Sequence, residues 1–177
     1  KIRFADNKDG EIVDNNLSPS YSSKAQEARC DIIPSASNNV PLEEHETFQS
    51  EQVIITKSGK KILKFPQNIA GYLSFHINAR KGQQIKLRFG EIIDNDGEFS
   101  QKNIQCRNKK GTKITPLQQV LFTCKEGRNE YKTKFAIFGF QYVLVEGDVD
   151  WKKEDFTAIA VYSSLEDTLH FESSNPL

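Results

Sequence analysis

The densest apolar pattern in the chain runs from Tyr131 to Glu146 and reads Y-K-T-K-F-A-I-F-G-F-Q-Y-V-L-V-E. It is rich in aromatic and β-branched residues, with one glycine and no proline, which is the composition of a strand. Apolar side chains fall on both parities: Phe135, Ile137, Val143 and Val145 on one, Phe138, Phe140, Tyr142 and Leu144 on the other. A strand with one wet face alternates, so this stretch is expected to lie centrally in a sheet and to be covered on both faces near its middle. Gly139 marks a position where the strand bends or another backbone approaches.

Short strands surround it. Gln52 to Thr56 and Lys61 to Phe65 flank Lys57-Ser58-Gly59-Lys60, a hairpin signal. Tyr72 to Asn78 alternates cleanly, with Leu73, Phe75 and Ile77 inward and Tyr72, Ser74, His76 and Asn78 outward. Gln84 to Ile93 places Ile85, Leu87 and Phe89 on one face, and Asp94-Asn95-Asp96-Gly97 closes a second hairpin. Val120 to Cys124, Phe156 to Tyr162 and Leu169 to Phe171 complete a set of eight or nine strands, with no convincing long helix. The segment Ser35 to Phe48 fits a short helix capped at Asn39 or an extended strand equally well. The fold class is all-β, an antiparallel β-sandwich.

Two stretches break the pattern. Residues 1–34 are polar and poorly periodic, with turn signals at Asp9-Gly10, Asn15-Asn16 and Ser18-Pro19-Ser20, and read as an extended lead-in or linker from a preceding domain. Gln101 to Leu117 carries Arg107, Lys109, Lys110 and Lys113 with little apolar content and reads as a long exposed loop.

The chain has 177 residues, enough for one domain with a sizeable core. Lysine plus arginine and aspartate plus glutamate number 24 each, so no net field recruits nucleic acid or an anionic membrane. No apolar run approaches the ~20 residues of a membrane span. Cys30, Cys106 and Cys124 are far apart and form no C-x-x-C, and His45, His76 and His170 are scattered, so neither a zinc site nor any cofactor is expected. Three cysteines give no disulfide framework, which points toward a reducing compartment while leaving secretion open. Asp94, Asp96 and Glu98 are spaced like part of a calcium loop, but the twelfth position is Gln105 and the hairpin reading is preferred.

Four blocks, in order, resemble the bacterial α-L-rhamnosidases. Phe65-Pro66-Gln67-Asn68-Ile69-Ala70-Gly71-Tyr72 resembles their F-G-Q-N-x-A-G-W motif. Gly82-x-x-Ile85-x-Leu87-Arg88-Phe89-x-Glu91 with Asp96-Gly97 resembles G-x-x-V-x-L-R-x-x-E…D-G. Lys134 to Tyr142 resembles R-F-T-Y-H-G-F-R-Y, and Tyr162 to Leu165 with Phe171 to Leu177 resembles the exit from the β-domain. Pro66 stands where the family has glycine, Tyr72 where it has tryptophan, Phe138 where it has histidine and Gln141 where it has arginine; the stretch Gln101 to Leu117 is longer than usual.

The resemblance implies a concanavalin-like, jelly-roll sandwich over 35–172, with 173–177 beginning a linker to a downstream (α/α)₆ barrel. In that family the barrel holds the acid and base of an inverting hydrolysis, whose two carboxylates are separated by ~6.5–9.5 Å. The chain then reads as a fragment of a longer protein, without catalytic residues of its own. Its expected partners are neighbouring domains of the same polypeptide, the barrel above all, with carbohydrate as a second class and neither nucleic acid nor membrane. The alternatives are a carbohydrate-binding module for rhamnosides or plant polysaccharide and an unrelated lectin-like sandwich.

Candidate contact residues, for carbohydrate or for a neighbouring domain, are Gln67, Asn68, Tyr72, His76, Glu91 and Trp151. Tyr72, Ser74, His76 and Asn78 form a polar face that suits sugar hydroxyls, or simply solvent or a domain interface. Strict alternation puts Glu91 on the apolar face of its strand. Either Gly90 makes a bulge that turns it outward, or it is buried with a partner such as Arg88, Gln67 or Asn68. Trp151 is a binding aromatic or a plug over the sandwich end.

Overall fold

The computed structural model describes residues 1–18, 20, 23–37 and 39–175. Its strands, in chain order, are β1 (Ile2–Asp6), β2 (Gly10–Asp14), β3 (Leu42–Gln49), β4 (Gln52–Ile55), β5 (Lys61–Ala79), β6 (Gln84–Gly90), β7 (Ile92–Ile93) and β8 (Phe99–Ser100). They continue as β9 (Cys106–Arg107), β10 (Ile114–Thr115), β11 (Gln119–Thr123), β12 (Gly127–Lys132), β13 (Phe138–Gly147) and β14 (Phe156–Ser163), with a 3₁₀ turn at Lys153–Asp155. The fold is all-β and concanavalin-like, one curled main sheet ordered β1-β2-β11-β6-β13-β5-β14-β3, with β4 and β12 also paired to β5.

β5 organises the sheet. Its first part, to Gly71, pairs with β13 on one side and, over Lys61 to Lys64, with β4 on the other. Its second part pairs with β12 and β14. Between them the β13 register jumps: Phe140 lies opposite Ile69 but Tyr142 opposite Lys64. Residues 65–68 therefore bulge against the single residue Gln141, whose side-chain amide donates to the carbonyls of Phe65 (3.2 Å) and Pro66 (3.4 Å). Such a bulge lets one strand turn from one layer into the other. Past it, Gly71 meets β14 so closely that an added Cβ would lie 2.0 Å from the Ile159 carbonyl oxygen. Only glycine fits there.

The curled halves enclose one core. Phe75 of β5 packs edge-on against Phe122 of β11, 5.2 Å between ring centroids, although β13 and β6 separate their strands within the sheet. Phe65, Phe89, Phe122, Phe138, Phe140 and Phe156 are all buried to within 2% of complete, each contributing about 2–3 kcal/mol by removal from water. β13 is central and buried on both faces, as its two-parity pattern predicts: Val143 faces this core and Leu144, on the other side, is equally closed off.

The structure corrects the sequence reading in several places. Tyr131 to Glu146 is not one strand. It breaks at 133–137 between β12 and β13, because the buried carboxylate of Glu11 accepts the backbone N–H groups of Lys134 (2.9 Å), Phe135 (2.5 Å) and Ala136 (3.2 Å) and the Tyr131 hydroxyl. Phe135 and Ile137 are left exposed. Residues 1–14 of the expected lead-in form the β1-β2 hairpin instead, and β2 runs parallel to β11. Lys61 to Phe65 and Tyr72 to Asn78 are parts of one strand. The ambiguous segment resolves as the edge strand β3, and Leu169 to Phe171 is not a strand; both Leu169 and Phe171 are exposed. Pro19 of the third turn signal and Pro176 and Leu177 of the 173–177 segment lie outside the described residues.

Candidate functional site

The outward face of β12, β5 and β14 carries the polar residues that alternation predicts. Leu73, Phe75 and Ile77 point into the core while Tyr72, Ser74, His76 and Asn78 face out. Register sets their neighbours: Lys132 lies opposite Ser74, Glu130 opposite His76 and Arg128 opposite Asn78. On the other side Ile159 lies beside Tyr72 and Thr157 beside Ser74. The result is an open groove of about 540 Å³ along Ser74, His76, Glu130 and Lys132, which continues into a second of about 520 Å³ between Arg128, Asn78, Trp151 and Asp155.

Several charges on this face are already paired. Glu44 of β3 accepts from the Tyr72 hydroxyl and, at 2.6 Å, from the Lys132 ammonium. Lys132 and, second to it, Tyr72 hold the Glu44 carboxyl below the usual range. Burial and then Glu44 push the Tyr72 hydroxyl up to about 12. Glu130 pairs with Arg128. Asp155 accepts the Lys152 N–H at 2.7 Å and lies 3.7 Å from His76 Nε2. Trp151 closes the far end, edge-on to Phe156 at 5.4 Å, with the Lys61 ammonium 5.5 Å from its ring centre. It packs against the core, as a plug does.

The six candidate residues do not converge on one site. His76 and Trp151 line the groove, and Tyr72 lies beside it, joined to Lys132 of the groove through the shared carboxylate of Glu44. Gln67 and Asn68 sit on the β5 bulge in a separate cleft of about 480 Å³ with Glu46, Phe48 and Tyr162. That cleft opens where β5 leaves the layer, since β14 pairs with β5 only as far as Gly71 and β4 only from Lys64 down. In it the Tyr162 hydroxyl donates to Glu46 at 2.9 Å and the Tyr162 ring stacks on His45 at 3.6 Å. Glu91 lines neither space. It is half-buried beyond the end of β6, accepts from the Asn103 amide at 2.7 Å, and lies 3.0 Å from where a Cβ on Gly139 would sit. Its partner is thus Asn103; Arg88 instead donates to Gln101 at 2.7 Å.

Sequence reasoning missed Glu44, Lys132, Arg128 and Asp155. They reach this face through strand register and a 3₁₀ turn, and no local motif marks them.

The family described as the bacterial alpha-L-rhamnosidase concanavalin-like domain matches residues 54–162. An alpha-L-rhamnosidase of Formosa agariphila is 25% identical over 175 residues, covering 95% of this chain and 18% of that protein. One from an Alteromonas species is 26% identical over 193 residues, covering 99% of this chain and 20% of that protein. The chain thus spans no more than a fifth of these relatives. Among solved structures, the Streptomyces avermitilis alpha-L-rhamnosidase complexed with L-rhamnose superposes with a TM-score of 0.65 at 22% identity, covering 77% of this chain and 13% of that one. The native enzyme from Aspergillus terreus gives a TM-score of 0.62 at 32% identity, covering 77% and 15%.

Proposed function

This chain belongs to the bacterial α-L-rhamnosidase concanavalin-like domain family, and from that membership we propose that it is a non-catalytic scaffold domain of an α-L-rhamnosidase. In this reading it supports a C-terminal (α/α)₆ barrel that hydrolyses terminal α-L-rhamnose from glycosides. The polar groove and the Gln67-Asn68 cleft are its contact surfaces. Interdomain surfaces are more polar than permanent ones, and these suit that role.

The observation that carries the non-catalytic half is the state of the carboxylates. A glycosidase acid must hold its proton near neutral pH, which requires a raised pKa. Glu44 and Glu46 are both pulled the other way, Glu44 by Lys132 first and Glu46 by its own backbone N–H first and then Tyr162. Glu130 and Asp155 are occupied by Arg128 and by Lys152 and His76. Trp151, with Phe156 against it and Lys61 close to its ring, is a poor stacking platform for a sugar.

The test is an assay of the purified chain with an aryl α-L-rhamnoside, together with calorimetric titration with L-rhamnose. The expected result is no turnover above buffer and a dissociation constant weaker than about 1 mM. Turnover abolished by substituting one of the chain's own carboxylates would overturn the reading. Tighter rhamnose binding that vanishes in Tyr72→Ala or Trp151→Ala would make the domain a carbohydrate-binding module instead.

A further inference from the structure

The excursion from Gln101 to Leu117 has no role in the scaffold reading, yet it is the most polarised segment of a chain with no net charge. Between Glu98 and Glu126 there is no acidic residue, while Lys102, Arg107, Lys109, Lys110, Lys113 and Lys125 all fall there. Uncompensated cations on one element repel each other, and such a cluster is stable only where it is solvated or meets an anion. Of the five in the excursion, Lys113 has a carboxylate partner, Asp9 at 2.9 Å. Lys102, Arg107, Lys109 and Lys110 are exposed and, among the described residues, pair with no carboxylate.

The segment is also built. β9 and β10 pair as a small hairpin, Arg107 opposite Ile114 and Cys106 opposite Thr115. Asn108 organises the turn: its side-chain oxygen accepts the N–H groups of Thr112 (2.8 Å) and Lys113 (3.2 Å), and its carbonyl that of Gly111 (2.8 Å). Asp9 fixes the base, accepting from Thr115 Oγ1 at 2.8 Å as well as from Lys113. The buried Gln101 donates to the carbonyls of Phe89 and Leu117, both at 2.8 Å. A cationic turn held this way loses little freedom when it meets an anion.

We propose that the β9-β10 hairpin is a docking site for an anionic polysaccharide, with Arg107, Lys109 and Lys110 meeting its carboxylate or sulfate groups. The choice of a polysaccharide rests on the glycosidase reading above and on two features of the hairpin. No aromatic residue lies between Phe99 and Phe122, so there is no platform for stacking nucleobases. The tip, Arg107 to Lys113, has no apolar residue to enter a bilayer. Asn108 and Thr112 are engaged with each other in the turn, at 3.0 Å, and leave the exposed Arg107, Lys109 and Lys110 to meet acid groups.

Binding is measured by titrating the whole chain, at 50 and 300 mM NaCl, with an oligogalacturonate of about ten residues or with dextran sulfate. Neutral dextran, a single-stranded oligodeoxynucleotide and phosphatidylserine vesicles serve as comparisons. One or both polyanionic saccharides should bind at low salt, the tighter one identifying the acid group, and binding should weaken steeply at high salt as counterions are no longer released to advantage. Lys109→Gln with Lys110→Gln should weaken it about fivefold or more, without moving the melting temperature, since both side chains are exposed. Lys57→Gln with Lys60→Gln, on the β4-β5 turn, should not change it. Failure of both saccharides to bind, equal losses in the two double variants, or equal affinity for the oligonucleotide or the vesicles would each overturn the proposal. The readout involves neither hydrolysis nor a neighbouring domain. Its failure therefore leaves the scaffold reading standing, and the failure of that reading shows in the turnover assay.

Discussion

Replacing Glu11 by alanine should be among the most damaging single changes in this domain. The residue is 1% exposed, and its carboxylate collects three backbone N–H groups and the Tyr131 hydroxyl. It pins the chain where β12 hands over to β13, more than 120 residues away in sequence. A buried donor left unsatisfied costs about 1–3 kcal/mol. Of the four donors, the Ala136 N–H and the Tyr131 hydroxyl are the least accessible to replacement water, while Lys134 and Phe135 are exposed and regain part of theirs. Relief of the carboxylate's own desolvation offsets part of the loss. The net expectation is about 4 kcal/mol for Glu11→Ala and about 1–2 kcal/mol for Glu11→Gln, which keeps a neutral acceptor. A domain of 177 residues has an unfolding entropy near 0.4 kcal/mol/K, so 4 kcal/mol corresponds to a melting temperature lower by roughly 10 °C. Calorimetry on the three proteins measures this, and amide exchange at 134–136 reports whether the break opens first. A melting temperature for Glu11→Ala within about 3 °C of the parent would refute the account of why one apolar run becomes two strands.

Asp9 tethers the cationic hairpin, so Asp9→Asn should speed trypsin cleavage at Arg107, Lys109 and Lys110 several-fold, and early cleavage inside β13 instead would count against the tether. Lys113, first among its partners, holds the Asp9 carboxyl below its ordinary value of 3.8. A depressed carboxyl contributes stability that is present above the ordinary carboxylate range and lost as pH falls through the folded value. Parent and Asp9→Asn melting temperatures should accordingly differ at pH 7 and converge below pH 3.8. Gly71→Ala would place a methyl group 2.0 Å from the Ile159 carbonyl oxygen, a backbone atom that cannot rotate away. It should separate β5 from β14 and yield aggregated or largely unfolded protein, whereas Gly59→Ala, with open space around its Cβ, should lose only the modest stability of a strained turn residue at φ +79°. Comparable soluble yields and melting temperatures for these two variants would contradict the close approach of the strands.

What the sequence made legible was local. The β4-β5 turn could be read because Gly59 adopts the left-handed conformation that such turns need, and the Thr56 and Lys60 backbones close around it. The second half of β5 could be read because its period of two survives unchanged in the structure, with Leu73, Phe75 and Ile77 buried. The two-sided burial of β13 could be read because Val143 and Leu144 are both apolar and β6 and β5 flank it. Each of these signals is complete within about ten residues.

The failures share the opposite property. Nothing between Tyr131 and Phe138 predicts a break, because the group that causes it is a glutamate on β2. Nothing in residues 1–14 marks a strand partner for β11, because the apolar content of β2 is small and its ladder with β11 is parallel. The outward face of β5 shows the same division. Tyr72 and His76 were visible from alternation, but Glu44 and Lys132, which fix the Tyr72 hydroxyl and the charge balance, arrive on β3 and β12 by register alone. Strand pairing brings together residues whose separation along the chain carries no information about their contact, so a β-sandwich hides its polar networks more thoroughly than its core. That asymmetry explains why the fold class and the candidate face emerged from sequence while the electrostatics of the face did not. It also explains the cationic hairpin: its charges are contiguous and could be counted from the sequence, but the carboxylate that anchors it, Asp9, lies more than a hundred residues earlier.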